Sequence, residues 1–153
     1  MAWPSNLLER FSAAVREKLL SLTEPFHFTA GQMIFEEGSP SLYLYLVKSG
    51  RVAIELHFPG WGRRQILTVG PGELFSWSAL VEPRLETASA RALEKTEVLA
   101  IRGGALMDLC LEDPEFGFQL YRTLAEVITD RLASTRHQLL QGAAWPQDVS
   151  VPK

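Results

Sequence analysis

Apolar residues near the start of the chain recur at every fourth position, with mostly polar residues between them. This spacing places one apolar stripe along a helix, so it predicts an amphipathic helix over about residues 6–21. Ser5 is the expected cap of that helix, and Pro25 prevents the helix from continuing. The stripe consists of Leu7, Phe11, Val15 and Leu19.

The middle of the chain, from Phe26 to about Arg102, has a different pattern. Short runs rich in β-branched and aromatic residues alternate with Gly, Pro and Ser, which predicts an antiparallel sandwich or barrel. Ser49 and Gly50 separate two such runs and predict a tight hairpin, and residues 59–62 (PGWG) predict the tip of the next one. The runs are FHFTA, QMIFEEG, SLYLYLVKSG, RVAIELHF, RRQILTVGPG, TASARAL and EVLAIR.

Helical periodicity returns after Gly103 and Gly104, where ALMDLCLE predicts a short helix. Asp113 is then a suitable cap and Pro114 a suitable first residue for a second helix that runs to about Gln141. That helix is roughly 27 residues, or about 40 Å, which is long for a small β domain. Its apolar stripe consists of Leu120, Leu124, Ile128 and Leu132, and a tail follows over 142–153.

Composition supports one ordinary globular domain: 153 residues, of which 46% are hydrophobic and 22% charged. The net charge of −3 gives no electrostatic reason to expect nucleic-acid binding. A single cysteine, Cys110, excludes an internal disulfide framework and fits the reducing cytoplasm, where we expect the protein. No signal-peptide pattern opens the chain and no apolar run has the length of a bilayer, so no membrane partner is expected.

Three stretches in a fixed order carry a resemblance: AGQMIFEEG at 30–38, SGRV at 49–52 and GPGELF at 70–75. With the order of helices and strands, they make the chain similar to the cyclic nucleotide-binding domain family, the effector domain of the catabolite activator type. The resemblance implies a mainly β fold, a double-stranded β-helix (a jelly-roll-like β-roll) with an N-terminal helix and a long C-terminal helix. It divides the chain into a helix at 1–22, the module at 23–141 with its last helix at 113–141, and the tail. Tight reversals that favour positive φ are expected at Gly31, Gly38, Gly50 and Gly72.

The resemblance also implies a ligand site after GPGELF. In the family, a Phe-Gly-Glu turn opens a short helix that holds the cyclic phosphate, the glutamate accepts from the ribose hydroxyl, and a later arginine pairs with the phosphate. Here Phe75 matches the Phe, but Ser76 stands at the Gly and Trp77 at the Glu. Glu86 stands at the arginine, and Arg84 comes two residues too early.

These departures predict altered recognition. Loss of the phosphate-binding arginine costs about 1.5–3 kcal/mol, a ten- to hundredfold weakening, and a carboxylate facing a phosphate adds repulsion. An indole has only a donor, so it cannot accept the ribose hydroxyl bond. Either the pocket suits another small anionic or planar molecule, or Trp77 fills it. The candidate ligand-binding residues are Phe75, Ser76, Trp77, Ser78, Ala79, Arg84, Glu86, Thr87, Ala88 and Ser89, with Arg131 and Thr135 on the long helix, where a helix-surface or dimer-rim role is the alternative.

Three function classes remain open. The chain is a regulatory sensor whose small-molecule effector shifts the long helix, a degenerate module that serves as a dimerisation or docking platform, or the effector domain of a transcription regulator without its DNA-binding part. No catalytic constellation, phosphate-binding loop or zinc motif is present, so we expect no enzyme and no metal, and no pattern fixes a cofactor. The expected partner is a second copy of the chain, joined through Leu124, Ile128 and Leu132, and DNA binding by this chain alone is not expected.

Overall fold

A β-roll flanked by helices forms the body of the protein. The structure is a computed structural model, and it describes residues 7–140 apart from the side chains of residues 138 and 139. Its strands are β1 (Glu24–Phe28), β2 (Met33–Phe35), β3 (Tyr43–Ser49), β4 (Val52–Phe58), β5 (Gly62–Val69), β6 (Leu74–Phe75), β7 (Ser89–Ala92) and β8 (Thr96–Arg102). They form two four-stranded antiparallel sheets, in the orders β1-β8-β3-β6 and β2-β7-β4-β5. The expected mainly β fold with helices at both ends is confirmed.

The N-terminal helix is present but is not continuous, as the sequence pattern predicted it to be. A 3₁₀ turn at Leu8–Arg10 precedes helix α1 at Ala13–Ser21. Between them Ser12 has an extended backbone, its side chain accepts a hydrogen bond from the first turn of α1, and its N–H donates to Gln119 Oε1 at 2.9 Å. The contact with Gln119 is a tertiary one, so the break could not be seen in the local pattern. The predicted cap Ser5 lies outside the described residues.

Strands β3 and β8 lie at the centre of the fold and are buried on both faces. Leu44 and Leu46 of β3 belong to the apolar cluster that includes the helices, whereas Tyr45 and Val47 belong to the cluster inside the roll. Successive side chains of a strand point to opposite faces, so a strand covered on both sides reads as one unbroken apolar run. This explains the runs LYLYLV and VLAI in the sequence.

The predicted hairpin at Ser49 and Gly50 is wrong, because β3 and β4 belong to different sheets. The chain crosses between the sheets here, with Gly50 at φ 94°. A Cβ added to Gly50 would lie 2.4 Å from Thr96 Oγ1, so the crossing admits only glycine. The hairpin at 59–62 is confirmed by the pairing of β4 with β5, and positive φ is also found at the other predicted reversals, Gly31, Gly38 and Gly72.

Two helices follow β8, as the sequence predicted. They are α2 (Gly103–Glu112) and α3 (Pro114–Leu140), and α3 has 27 residues. The Asp113 side chain caps α3 by accepting a hydrogen bond from Phe116 N at 3.2 Å. Of the helices within residues 7–140, none combines the length and the apolar character that crossing a bilayer requires. The first half of α3 packs against the roll and the N-terminal segment, so the helix is anchored at one end.

Candidate functional site

A small cavity lies at the end of the roll where β6 leaves its sheet. Its walls include Phe75, Trp77, Glu86 and Arg131, and we call it the inner cavity. Its volume is about 50 Å³, which holds about one or two water molecules and is far below the 300 Å³ or more of most small-molecule sites. Residues of the predicted site therefore line a cavity, but in this conformation side chains fill most of the space.

Ser76 gives this site its unusual backbone. β6 ends at Phe75, and a 3₁₀ helix follows at Trp77–Leu80. Ser76 lies between them at φ 67° and ψ 38°, the left-handed region that favours glycine and costs other residues about 1–2 kcal/mol. The resemblance places a glycine of the family at this position, so the turn is retained although the residue has changed. The side-chain hydrogen bond of Ser76 offsets part of this cost.

Glu86 is a buried carboxylate at the base of the inner cavity, with 5% of its surface exposed. Ser76 Oγ donates to Glu86 Oε2 at 2.6 Å, and Ser41 Oγ lies 3.1 Å from Ser76 Oγ. Burial raises the pKa of Glu86 above its ordinary value, and the hydrogen bonds from Ser76 and Ser41 oppose that rise. Within residues 7–140, none of the ion pairs includes Glu86. Its negative charge is thus stabilised by hydroxyl groups and by no cationic side chain of that range.

Arg131 reaches from α3 to the short helix and closes the inner cavity. Its guanidinium carbon lies 4.9 Å from the centre of the Trp77 ring, within the range of a cation–π contact. The side chain is only 11% exposed, and its ion-pair partner is Glu73 Oε2 at 4.0 Å. Burial lowers the pKa of Arg131 to about 10, with Glu73 acting in the opposite direction, so the group stays charged at neutral pH. The cation–π contact of Arg131 with Trp77 therefore joins the long helix to the short helix, in addition to the hydrogen bond from Tyr121 Oη to the Leu80 carbonyl at 3.1 Å.

A larger cavity lies on the other side of Arg131. This outer cavity, of about 350 Å³, is bordered by Arg10, Glu73, Asp130 and Arg131 and has an apolar floor. It shares Leu67 and Arg131 with the inner cavity, so these two side chains stand between the two spaces. Its volume falls within the range of small-molecule sites.

The inner cavity brings together most of the predicted ligand-binding residues but not all of them. Ala79 packs below Gly103, Ser89 Oγ accepts a hydrogen bond from Glu37 N at 2.9 Å, and Thr135 lines neither cavity. The predicted residues that do line it are Phe75, Ser76, Trp77, Ser78, Glu86, Thr87, Ala88 and Arg131.

Arg84 does not line the inner cavity, which corrects its place among the candidate residues. Its φ is 58°, and its Nε lies 3.1 Å from Glu82 Oε1, a strongly exposed carboxylate. Its side chain is 40% exposed and its Nε is buried. In this conformation Arg84 therefore does not reach the cavity beside which the resemblance leads us to expect an arginine.

Sequence reasoning missed the apolar walls of the cavity and one of its polar groups. The walls Phe35, Ile54 and Leu67 come from strands of the second sheet. The alternation of side chains along each strand could have indicated that these three residues face inward. Which strands lie beside the cavity depends on the order of strands in the sheet. Ser41 precedes β3, and only the tertiary fold brings it to Ser76.

The apolar stripe of α3 is divided between two roles. Leu124 is 3% exposed and belongs to the core cluster with the N-terminal segment, so it is not available for a dimer seam. Ile128 is half-buried, and Leu132 is 55% exposed. The prediction that Leu124 belongs to a dimer seam is therefore wrong, and a seam through Ile128 and Leu132 stays a prediction.

Other chemistry is sparse in the part of the chain that the structure describes. No group of three or more His, Cys, Asp and Glu there is arranged to hold a metal ion. Cys110 is a half-buried free thiol whose pKa is raised by burial, so it is not activated as a nucleophile.

Comparison with known proteins identifies the family and gives the same fold. The family model described as "Cyclic nucleotide-binding domain" matches residues 25–113. The chain belongs to the cyclic nucleotide-binding domain family. This cyclic nucleotide-binding domain is also 32% identical over 117 residues to the "CRP-like cAMP-activated global transcriptional regulator" of Mycobacterium tuberculosis (strain CDC 1551 / Oshkosh). The match covers 76% of this chain and 50% of that protein, so the chain spans about half the length of this relative.

Solved structures place the domain in the same fold. The catabolite activator protein of Thermus thermophilus matches with a TM-score of 0.72 and 31% identity, over 90% of this chain and 63% of that one. A cyclic nucleotide-binding domain from Methylobacillus flagellatus matches with a TM-score of 0.80 and 22% identity, over 91% of this chain and 78% of that one, and this likeness concerns the fold alone. The domain is therefore similar in sequence to a transcriptional regulator, and its structure has the β-roll of the family.

Proposed function

We propose that this cyclic nucleotide-binding domain is a non-catalytic regulatory sensor that recognises ordinary cyclic nucleotides weakly or not at all. Its small-molecule effector acts on α3 by displacing Arg131 from Trp77. The observation that carries the proposal is the buried Glu86 carboxylate, hydrogen-bonded to Ser76, in the place where the family resemblance leads us to expect the phosphate-binding arginine. A phosphate brought to this position meets a negative charge in a poorly solvated site, where repulsion is stronger than in water.

Calorimetric titration tests the proposal directly. Cyclic AMP and cyclic GMP, each titrated into the wild-type chain at neutral pH, are expected to give no saturable heat in the low-micromolar range. The expected cause is the loss of a charge-assisted contact together with the repulsion from Glu86. A low-micromolar dissociation constant for either nucleotide contradicts the proposal.

A second candidate function, a dimerisation or docking platform without a ligand, is favoured by the small volume of the inner cavity. Trp77 and Arg131 already occupy much of the space beside Glu86. Under this alternative no small molecule raises the melting temperature in a thermal-shift screen. The third candidate, the effector domain of a DNA-binding regulator, is supported by the similarity to the mycobacterial transcriptional regulator, and a gel shift with the full gene product tests it.

We also propose that α3 forms a homodimer seam through Ile128 and Leu132. A Leu132→Asp variant is expected to change the molar mass in light scattering from dimer to monomer, because an exposed apolar side chain on an extended helix is replaced by a charge. Leu111→Asp is the matched control: Leu111 is an exposed leucine on α2, and this variant is expected to remain dimeric. A monomeric wild-type protein, or an unchanged mass for Leu132→Asp, contradicts the seam.

The domain division remains part of this proposal: a helical segment at 1–22, the sensor module at 23–141, and the tail at 142–153. The N-terminal segment is closely attached to the module, since Leu8 and Val15 share a core cluster with α3. We further propose a cytoplasmic location, on the strength of a single half-buried free cysteine.

A further inference from the structure

The environment of Glu86 is suited to a cation rather than an anion. Its carboxylate is buried, receives only hydroxyl hydrogen bonds, and belongs to no ion pair among residues 7–140. The raised pKa of Glu86 reflects this lack of compensation. A buried carboxylate gains most from a ligand that brings both a positive charge and N–H donors.

The aromatic rings around the same cavity also favour a cation. Phe35, Phe75 and Trp77 line it together with Glu86, and Phe35 and Phe75 are themselves stacked, with ring centres 6.0 Å apart. Aromatic faces attract cations through their quadrupole, most strongly when the cation is desolvated. Aromatic faces and a buried carboxylate both favour a positive charge, so the chemistry of this cavity suits a cation.

Arg131 shows which kind of cation fits against Trp77. Its guanidinium is a planar cation with N–H donors, and it already lies 4.9 Å from the centre of the indole ring. Arg131 also separates the inner cavity from the outer cavity. If the side chain moves out, the two spaces join into one site large enough for a small molecule. The protein's own guanidinium thus occupies the place that a ligand of the same chemistry can take.

Resting on the proposed function, we propose that the effector site accepts a small planar cation of the guanidinium or amidinium class. The ligand stacks on Trp77 after Arg131 moves out, and it reaches farther into the inner cavity than Arg131, whose ion-pair partner is Glu73, so that it pairs with Glu86. Such a ligand presents a two-pronged N–H edge that matches a carboxylate. A quaternary ammonium ion lacks these donors, and a phosphodiester has the wrong charge. Displacement of Arg131 removes its contact with Trp77 while the hydrogen bond from Tyr121 of α3 to the Leu80 carbonyl stays in place, so the later part of α3 can move and the site has a way to signal.

The probe is benzamidine, a planar amidinium, titrated by calorimetry into the full chain, with benzamide as its neutral isostere. Benzamidine is expected to bind saturably, and benzamide at least about tenfold more weakly, because one charge-assisted contact is lost. Glu86→Gln is expected to weaken benzamidine binding by at least about tenfold, while Glu82→Gln, which changes an exposed carboxylate outside the cavity, leaves it unchanged. Arg131→Gln is expected to tighten benzamidine binding several-fold, because the internal competitor is removed.

Each result separates this inference from the proposed function. Equal binding of benzamidine and benzamide, no effect of Glu86→Gln, or weaker binding in Arg131→Gln overturns the planar-cation site. Absence of benzamidine binding in a wild-type chain that also fails to bind cyclic AMP overturns the ligand class and leaves the altered-recognition proposal standing. Tight binding of cyclic AMP in the same series overturns the proposed function itself. Circular dichroism of every variant confirms that the fold is retained before the constants are compared.

Discussion

A Glu86→Arg variant is expected to bind cyclic AMP about ten to a hundred times more tightly than the wild-type chain. The substitution replaces a repulsive carboxylate by a guanidinium at the position where the family resemblance places the phosphate-binding arginine. A charge-assisted hydrogen bond to phosphate contributes about 1.5–3 kcal/mol, which corresponds to this range. The dissociation constants come from calorimetric titration of both proteins under the same salt and pH conditions.

Glu86→Gln is the control for this prediction, since it removes the charge without adding a phosphate ligand. It is expected to bind cyclic AMP better than the wild type but less well than Glu86→Arg. The same variant is expected to bind benzamidine less well, so one substitution should move the two ligands in opposite directions. If neither substitution improves cyclic AMP binding, occlusion by Trp77 and Arg131 controls the site, and the role assigned to Glu86 is wrong.

Gly50→Ala is expected to lower the free energy of unfolding by about 3 kcal/mol or more. The new Cβ would lie 2.4 Å from Thr96 Oγ1 and 2.6 Å from the Lys95 carbonyl oxygen, at a φ of 94° that disfavours any side chain. Thr96 cannot easily move aside, because its Oγ1 donates to the Glu94 carbonyl at 2.8 Å. Against a total stability of about 5–15 kcal/mol, the loss is large, and urea unfolding measures it.

Gly60→Ala isolates the backbone part of this effect. Gly60 has φ 84°, similar to that of Gly50, but an added Cβ there meets no atom within 4 Å. Its expected cost is about 1–2 kcal/mol. Equal losses for the two variants would show that the crossing between the sheets is not tightly packed. If Gly50→Ala fails to fold while Gly60→Ala folds, the two losses in stability have the expected order.

Much of the fold could be predicted because its signals are local. The cap at Asp113, the proline after it and the four-residue apolar spacing fix α3, and these interactions lie within a few residues of each other. The hairpin at 59–62 was likewise predictable from its turn residues. The hairpin predicted at Ser49 and Gly50 was wrong because the same glycine signal serves a crossing between sheets, and strand pairing is a long-range choice.

The candidate site could be predicted only in part, because some of its signals are local and others depend on tertiary contacts. Trp77 and Glu86 were identified from their places in a short motif, and both line the inner cavity. The contact of Ser41 with Ser76 was not predictable, because it depends on how separate segments of the chain meet, and neither was the absence of Arg84 from the cavity lining. The stack of Arg131 on Trp77 also joins residues far apart in the chain.

By itself the sequence determined the family, the order of strands and helices, and the substitution of charge at the ligand position, since these follow from local patterns and residue identity. The tertiary structure alone decided that Glu86 is buried without a cationic partner among the described residues, that Arg131 occupies the face of Trp77, and that Leu124 belongs to the core. The physical reason is that burial and pairing are set by which distant segments pack together. The type of a side chain determines which groups it is able to bind, and tertiary packing determines which groups lie next to it.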